Sequence, residues 1–290
     1  MYALLGGTGY VGTAFQKHLN ARSIPFRVLS RRELDYYDRA VLKSALQEMS
    51  ATALINAAGF TGRPNVDACE IQKTDCLAGN GVLPGIVRDV CDDLALPWGH
   101  VSSGCIFTGR RADGAGFTEA DAPNFSFRQD NCSFYSGCKA LGEEVLADAE
   151  RCYVWRLRIP FDNIDSSRNF ISKLMRYQRL LVAENSLSHL EEYVASCVAC
   201  LTKNVDYGIY NLTNPGSVNS RDVVAMIQKH GMIEKSFEFF DSEEEFMQIA
   251  AKTPRSNCVL DSSKAVAAGL PLSPVDEALD KAMSTWVPEA

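Results

Sequence analysis

A glycine-rich turn after the first apolar run constrains the fold more than any other feature of the sequence. The run Tyr2-Ala3-Leu4-Leu5 is followed at once by Gly6-Gly7-Thr8-Gly9-Tyr10-Val11-Gly12. Gly6 permits a tight turn, Gly9 a close backbone approach to a ligand, and Gly12 close packing of the next helix on the strand. That helix, beginning near Tyr10, would direct its N-terminus at a diphosphate. The pattern predicts dinucleotide binding by Gly6, Thr8, Gly9, Tyr10, Val11 and Gly12, and its context disfavours a glycine turn without a ligand.

Strand and helix patterns alternate over the first 158 residues. We expect strands at 2–5, 26–30, 53–56, 98–102 and 154–158, and helices at 10–20, 38–49, about 71–94 and 136–150. Such alternation is typical of an α/β fold with a Rossmann-type, doubly wound parallel sheet.

The pattern becomes irregular from residue 159 onward. We expect helices at 169–177, 190–202, 221–230 and 275–284, and a strand at 209–212 that is free to return to the main sheet. The sequence therefore predicts an NADP-binding domain over residues 1–158 and a smaller substrate-binding lobe over residues 159–290.

Composition restricts the kinds of partner and compartment. A net charge of −7 without a basic cluster argues against a nucleic-acid binder. No apolar run approaches the roughly 20 residues that span a bilayer, and glycine at residue 6 comes too early for a signal peptide. The ten cysteines are then expected to be reduced thiols of a cytoplasmic protein. Cys197 and Cys200 lie in an apolar helical stretch and are expected to pack, so no metal site is predicted. The oligomeric state stays open, with a homodimer among the alternatives.

The end of the second predicted strand bears on the choice of cofactor. Folds that prefer NAD usually place an acid there, whereas this chain has Leu29-Ser30-Arg31-Arg32. A guanidinium pairs well with a 2′-phosphate, so Ser30 and Arg31 favour NADPH. Glu33 is near enough to keep NADH as an alternative. Asp35 is expected either to contact the adenine or to cap the following helix.

A tyrosine and a lysine mark the expected reaction centre. Tyr135 and Lys139 are four residues apart and share one face of a helix. This pair is common by chance, but it follows a G-x-x-G-x-x-G turn here. Together the two motifs resemble the short-chain dehydrogenase/reductase superfamily and predict redox chemistry at a carbonyl.

Five further segments resemble a narrower group within that superfamily, the bifunctional nucleotide-rhamnose synthases. These 3,5-epimerase/4-reductases act on UDP- or dTDP-4-keto-6-deoxyglucose and are related to dTDP-4-dehydrorhamnose reductase. The resemblance covers nearly the whole chain, and its most specific run is Thr61-Gly62-Arg63-Pro64-Asn65. The segments are residues 54–70, 102–107, 166–173, 210–216 and 254–261.

The resemblance implies roles for individual side chains. Ser103 and Tyr135 would donate to the keto oxygen, and Lys139 would lower the pKa of the Tyr135 phenol and hold the nicotinamide ribose. Asn80 would support a proton-relay water, with a plain helix hydrogen bond as the alternative. Asn56, Ala57 and Ala58, which follow the third strand, are expected to contact the cofactor.

Epimerisation needs a base and an acid on opposite faces of the sugar. The resemblance assigns these roles to Cys105 and Lys173, and Cys105 would act as a thiolate if nearby positive charge lowered its pKa. The alternative for Cys105 is a small buried packing residue.

Substrate binding is expected from the most specific run and from two later segments. Arg255 and Arg63 are the candidates for the diphosphate, although a structural arginine that bonds carbonyls is the alternative for each. The full set of expected substrate-binding residues is Thr61, Gly62, Arg63, Asn65, Asn169 and Arg255.

Three functions remain open at this point. The favoured one is an NADPH-dependent 3,5-epimerase/4-reductase of a UDP- or dTDP-linked 4-keto-6-deoxyglucose. A 4-keto reductase in which Cys105 and Lys173 are idle is the nearest rival. A non-catalytic cofactor-binding subunit is a third, which the intact set of Ser103, Tyr135 and Lys139 disfavours.

Overall fold

A six-stranded parallel sheet forms the centre of the protein. The computed structural model describes residues 1–63, 65–203 and 205–289, so Pro64 of the most specific run lies outside the described residues. With strands numbered along the chain, the sheet order is β2-β1-β3-β4-β5-β10, and every neighbouring pair is parallel. Its strands are β1 (Tyr2–Leu5), β2 (Phe26–Leu29), β3 (Ala53–Asn56), β4 (Trp98–Ser103), β5 (Cys152–Leu157) and β10 (Gly208–Asn211). This sheet confirms the predicted Rossmann-type fold class.

Helices cover both faces of the sheet, and its central strands are therefore buried on both sides. One face packs Leu4, Phe15 and Trp155 together with Tyr193, and the other packs Leu5, Leu42 and Val87. A π-helical turn at Ala78–Val82 joins α3 to α4 in one long helix. The covering helices are α1 (Tyr10–Ala21), α2 (Arg39–Glu48), α3 (Lys73–Leu77), α4 (Leu83–Asp93), α5 (Phe134–Glu144) and α7 (Leu190–Lys203).

The later part of the chain packs around a core of its own. Phe161, Leu180, Val223 and Leu279 lie in this third cluster. Short strands pair two by two: β6 (Pro160–Phe161) with β9 (Ser188–His189), β7 (Arg179–Leu180) with β12 (Glu238–Phe239), and β8 (Glu184–Asn185) with β11 (Val218–Asn219). The remaining helices are α6 (Phe170–Arg176), α8 (Ser220–Lys229), α9 (Glu243–Ile249), α10 (Ser263–Ala267) and α11 (Val275–Ser284).

One feature differs from the sequence expectation, and one alternative that the sequence left open is decided. Helix α5 ends at Glu144 rather than near residue 150, because the next residues form tight turns that place Leu146 in the core. Strand β10 does return to the main sheet beside β5, so residues after 158 also build that sheet. None of the described helices is long and apolar enough to cross a membrane.

Candidate active site

The glycine turn between β1 and α1 has the geometry that its sequence predicted. Gly6 has a φ of +72°, and a Cβ there would lie 2.4 Å from the Ala58 nitrogen. A Cβ on Gly12 would lie 2.1 Å from the Gly6 oxygen. Gly9 is different, because a Cβ there would meet only the Gly6 oxygen at 3.4 Å. The turn is therefore closed on the protein side at Gly6 and Gly12 and open in front of Gly9, which suits a close-lying diphosphate.

A cavity of about 840 Å³ opens in front of this turn. Residues of the glycine turn, the loop after β3, helix α5 and helix α6 all reach its wall. Thirteen of the residues predicted from the sequence line it: Thr8, Gly9, Tyr10, Val11, Ala57, Ala58, Thr61, Arg63, Asn80, Ser103, Tyr135, Lys139 and Lys173.

A second cavity, of about 580 Å³, also borders the glycine turn. Ser30, Arg31 and Asp35 line it, together with Gly6 and Thr8. Asp35 accepts a hydrogen bond from the Tyr37 nitrogen at 3.1 Å, whereas Asp38 caps helix α2, so the capping alternative for Asp35 is wrong. Thr8 belongs to both cavities, and the pair of cavities has the layout that a dinucleotide needs.

Ser103, Tyr135 and Lys139 meet at the first cavity. Ser103 ends β4, and its hydroxyl accepts from the Cys105 nitrogen at 3.2 Å. Tyr135 lies in the first turn of α5, and Lys139 follows one turn later on the same face. The Lys139 ammonium donates to the Val101 carbonyl at 3.2 Å.

The pKa of Tyr135 does not follow the sequence expectation. Burial of the phenol raises its pKa well above the usual value of 10.0, and neighbouring thiols add to the rise. The net lowering expected from Lys139 is therefore not observed; the Lys139 ammonium is bonded to the Val101 carbonyl, and burial lowers its own pKa. Tyr135 is therefore a neutral phenol in the protein without ligands, and a neutral phenol can donate a proton to a carbonyl oxygen.

Asn80 lies in the π-helical turn and is fully buried. Its side-chain oxygen accepts from the Phe60 nitrogen at 3.2 Å, and its amide donates to the Phe60 oxygen at 2.7 Å. The same amide also reaches the Cys76 sulfur, one turn earlier, at 3.4 Å. Asn80 thus fixes the loop after β3 in addition to lining the cavity. The sequence alternatives, support of a relay water or a plain helix hydrogen bond, did not include this role.

The two residues assigned to epimerisation differ in exposure to the cavity. Lys173 lines it, and burial and the nearby Arg168 lower its pKa. Cys105 is not among the lining residues; it is 7% exposed and belongs to a buried cluster against which Tyr135 packs. Burial raises the pKa of the Cys105 thiol, while Ser103, Ser136, Arg158 and Lys139 oppose the rise.

Three of the expected substrate-binding residues have structural partners instead. Asn65 caps a short 3-10 helix through the Asp67 nitrogen, and Asn169 caps α6 and bonds the loop at Asp162 and Ile164. Arg255 forms an ion pair with the Asp67 carboxylate at 2.7 Å and donates one hydrogen bond to it at 2.9 Å. None of the three lines the cavity, and their contact with substrate stays a prediction.

Two expected positions shape the cavity without contributing a side chain to its wall. Gly62 has a φ of +65° and turns the loop that carries Thr61 and Arg63 to the cavity. Asn56, at the end of β3, is fully buried and accepts from the Ala58 nitrogen at 3.1 Å, so it supports the cavity wall without touching it.

Arg168 is a cavity residue that the sequence reasoning did not select. It lines the wall beside Ser167 and Lys173, and its guanidinium donates to the Gly62 carbonyl at 3.1 Å. The signal was present, because Arg168 lies in one of the five resemblance segments and an acidic protein needs a local cation for a diphosphate. No group of three metal-binding side chains is found among the residues that the structure describes.

The structure is a Rossmann-type α/β protein whose cavity is lined by Ser103, Tyr135 and Lys139. Comparison with known families makes the assignment specific: residues 2–287 match the family described as RmlD substrate binding domain, and the chain belongs to that family. Membership confirms the predicted resemblance and the prediction of an enzyme of the reductase class.

Individual relatives agree with this assignment. The chain is 34% identical over 270 residues to the bifunctional dTDP-4-dehydrorhamnose 3,5-epimerase/dTDP-4-dehydrorhamnose reductase of Arabidopsis thaliana, covering 91% of this chain and 85% of that protein. It also matches a trifunctional UDP-glucose 4,6-dehydratase/UDP-4-keto-6-deoxy-D-glucose 3,5-epimerase/UDP-4-keto-L-rhamnose-reductase of the same plant at 33% identity, but it spans only 38% of the length of that protein.

Solved structures show the same fold. The L780 UDP-rhamnose synthase of Acanthamoeba polyphaga mimivirus superposes with a TM-score of 0.90 at 22% identity over 98% of both chains. The dTDP-4-dehydrorhamnose reductase of Bacillus anthracis in complex with NADP has a TM-score of 0.81 at 18% identity over 97% of both chains.

Proposed function

We propose that the protein converts a UDP- or dTDP-linked 4-keto-6-deoxyglucose to the L-rhamnose nucleotide, by 3,5-epimerisation followed by NADPH-dependent 4-reduction. The observation that carries the proposal is the 840 Å³ cavity, whose wall combines the open glycine turn, Ser103, Tyr135 and Lys139 with Lys173. The bifunctional relative at 34% identity supports the same pair of reactions.

NADPH is the proposed cofactor. The open turn at Gly9 would hold its diphosphate, and the cavity lined by Ser30, Arg31 and Arg32 would hold the 2′-phosphate end. The reductase structure solved with NADP supports this choice, and the sequence alternative of NADH is the comparison to test. When bound, NADPH supplies the hydride for the reduction.

Residues of the chain perform the remaining steps of reduction. Tyr135, as a neutral phenol, donates its proton to the keto oxygen, and Ser103 donates a second hydrogen bond to that oxygen. Lys139 holds a positive charge one helical turn away, where it orients the site through the Val101 carbonyl. We propose that residues 1–158 hold the cofactor, and that the smaller lobe contributes Arg168 and Lys173 to the wall of the same cavity.

Epimerisation requires proton exchange next to the ketone. Cys105 as a thiolate takes a proton from C3 or C5, and the C–H electron pair moves into the enolate. Lys173 as an ammonium returns a proton on the opposite face, and exchange with water restores both groups. Ser103 and Tyr135 stabilise the enolate oxygen by the same hydrogen bonds that serve reduction.

The test is product analysis by NMR in heavy water with NADPH and each 4-keto nucleotide sugar. We expect the rhamnose nucleotide, with deuterium at C3 and C5. Cys105→Ser should suppress deuterium incorporation yet still reduce a ketone that is already epimerised, because serine is a far weaker base than a thiolate.

A reductase without epimerase activity is the second candidate. The observation that favours it is the burial of Cys105, which keeps the thiol off the cavity wall. Wild-type protein that exchanges no deuterium and reduces only the epimerised ketone would establish this second candidate and overturn the first.

A further inference from the structure

Arg158 is a buried cation whose charge is not neutralised by a carboxylate in the described part of the chain. It directly follows β5 and is 6% exposed. Its guanidinium donates to the side-chain oxygen of Asn185 at 2.6 Å and to the Ser256 carbonyl, both neutral groups. Its Nε is buried and has no hydrogen-bond partner among the described residues.

Arg156 shows the usual way to bury such a group. Two residues earlier on the same strand, it is paired with Glu143 through bonds of 2.7 to 3.1 Å. Taking an ion out of water is costly unless an opposite charge compensates it. Within the described chain, Arg158 thus keeps a buried positive charge and a free donor that an anion formed nearby would compensate.

The turn that carries Cys105 lies against Arg158. A Cβ built on Gly104 would lie 3.4 Å from the Arg158 Cδ, and the Gly104 carbonyl accepts from the Cys258 thiol at 3.2 Å. Asn185 also accepts from the Cys258 nitrogen, so one amide orients both the guanidinium and this segment.

The charged and titratable groups around Cys105 are few. Arg158 and Lys139 are the cations that act on its thiol, while Tyr135, Cys132 and Cys258 are neutral acids nearby. Lys139 is bonded to the Val101 carbonyl, whereas Arg158 has the spare donor. The field of Arg158 lowers the pKa of both the Cys105 thiol and the Tyr135 phenol, against the larger effect of burial.

We infer that Arg158 is a positioning residue that supplies the fixed positive charge for a thiolate at Cys105 and thereby promotes exchange of the protons next to the ketone. The inference rests on the proposed epimerase function. A cysteine becomes reactive when a nearby positive charge stabilises its thiolate, and Arg158 would supply that charge.

The experiment separates the charge of Arg158 from its hydrogen bonds. Arg158→Gln removes the charge and keeps an amide donor, whereas Arg158→Lys keeps the charge. Asn185→Asp retains Arg158 but places a carboxylate on it. Arg128→Gln, at an exposed arginine that pairs with Glu144, is the matched control for loss of one positive charge.

The primary measurement needs no substrate. The ultraviolet absorbance of thiolate is recorded against pH for each full-length variant. The same titration is made with that variant carrying Cys105→Ser in addition, and the difference between the two curves reports the ionisation of Cys105. We expect Arg158→Gln and Asn185→Asp to raise the pKa of Cys105 by about one unit or more. Deuterium exchange at neutral pH should fall about tenfold with each unit. Arg158→Lys and Arg128→Gln should keep the wild-type titration.

The outcomes are distinguishable. An unchanged Cys105 titration in Arg158→Gln, or an equal shift in Arg158→Lys, overturns the inference and leaves the epimerase proposal standing. Absence of deuterium exchange in the wild-type protein overturns the epimerase proposal. The effect of Arg158 on the pKa of Cys105 is measured independently by the titration. If Arg158→Gln fails to fold, Asn185→Asp decides the question, because it keeps the arginine in place.

Discussion

The protonation state of Tyr135 links the structure to the direction of the proposed reaction. Burial and neighbouring thiols keep its phenol neutral, and Arg158 opposes them only in part. Reduction of a ketone consumes a proton, so a neutral phenol beside the carbonyl is the form that this direction needs. The reverse oxidation would need the phenolate, which this environment disfavours.

Removal of the Tyr135 hydroxyl should therefore abolish most of the reductase activity. Tyr135→Phe keeps the ring and its packing but takes away the proton donor, and we expect turnover to fall on the order of 10²–10⁴-fold. NADPH binding, measured by fluorescence titration, should change little. Tyr177→Phe, at an exposed tyrosine, is the control. Near-normal turnover in Tyr135→Phe would show that another group provides the proton.

Arg31 should distinguish the two nicotinamide cofactors. It lines the second cavity, in which we propose that the 2′-phosphate of NADPH, or the 2′-hydroxyl of NADH, lies. Loss of a charge-assisted hydrogen bond costs about 1.5–3 kcal/mol, so Arg31→Ala should weaken NADPH binding by about one to two powers of ten. NADH binding should be nearly unchanged, as should both affinities in the exposed-residue control Arg27→Ala. Equal losses for both cofactors would assign Arg31 a structural role.

Sequence alone identified the residues whose role depends on local geometry. Gly6, Gly9 and Gly12 act through the backbone of one turn, so their spacing sufficed. Arg255 and Asn169, by contrast, have structural partners elsewhere in the chain that the sequence did not indicate. The Asp67 carboxylate that binds Arg255 is 188 residues away in the chain, and no local pattern reveals such a pair.

At the scale of elements, a buried ion pair joins helix α5 to the sheet behind the cavity. Glu143, one turn beyond Lys139, binds Arg156 of β5 and accepts from the Ser102 hydroxyl of β4 at 2.5 Å. Both charged side chains are almost fully buried. The pair therefore fixes the helix that carries Tyr135 and Lys139 relative to β4, which ends in Ser103.

Breaking this pair on one side should destabilise the protein strongly. Arg156→Met leaves the Glu143 carboxylate buried without its partner, and we expect the free energy of unfolding to fall by about 3–5 kcal/mol. The double variant Glu143→Leu with Arg156→Met should lose less, since no charge is left unpaired. Chemical denaturation measures both. Arg128→Met breaks the exposed ion pair with Glu144, the last residue of α5. It should lower the free energy of unfolding by about 1 kcal/mol or less. Equal losses for the single and double variants would contradict this account.

The elements with a clear hydrophobic period were predicted well, and the others were not. Strands β1 and β3 and helix α11 have the predicted bounds, since each combines a buried face with a clear start and stop. The π-helical turn at Ala78–Val82 was not predicted, because the sequence pattern indicated one helix over about residues 71–94. Within this turn Asn80 bonds the Phe60 backbone, a contact across 20 residues that propensity does not encode.

At the scale of the whole molecule, the sheet edge and the cavity are built from distant parts of the chain. Strand β10 joins the sheet after the smaller lobe has begun, and Arg168 and Lys173 of that lobe meet the glycine turn at one cavity. The sequence predicted the return of this strand as an option, because its apolar run suited a sheet. It could not predict how the lobe closes on the cavity, since that depends on packing between segments without a shared period.

The buried His100 should make the stability of the whole fold sensitive to acid. It lies in β4, is fully buried, and its Nδ1 contacts the Asn56 amide at 3.1 Å. Burial, with Lys139 nearby, holds the pKa of His100 well below 6.5. The unfolded chain therefore binds a proton below about pH 6.5 that the folded protein does not, and stability falls as pH decreases through that range.

His100→Gln should reduce this acid sensitivity. While His100 remains neutral in the folded state, it contributes a loss of up to about 1.4 kcal/mol for each unit of pH below its unfolded pKa. The glutamine variant keeps a polar group toward Asn56 but binds no proton, so its free energy of unfolding should fall less between about pH 6.5 and pH 5. Urea denaturation at several pH values measures the two slopes, and the difference between them removes the contribution of other titrating groups. Parallel slopes for the wild type and His100→Gln would show that His100 does not control the acid stability of the fold.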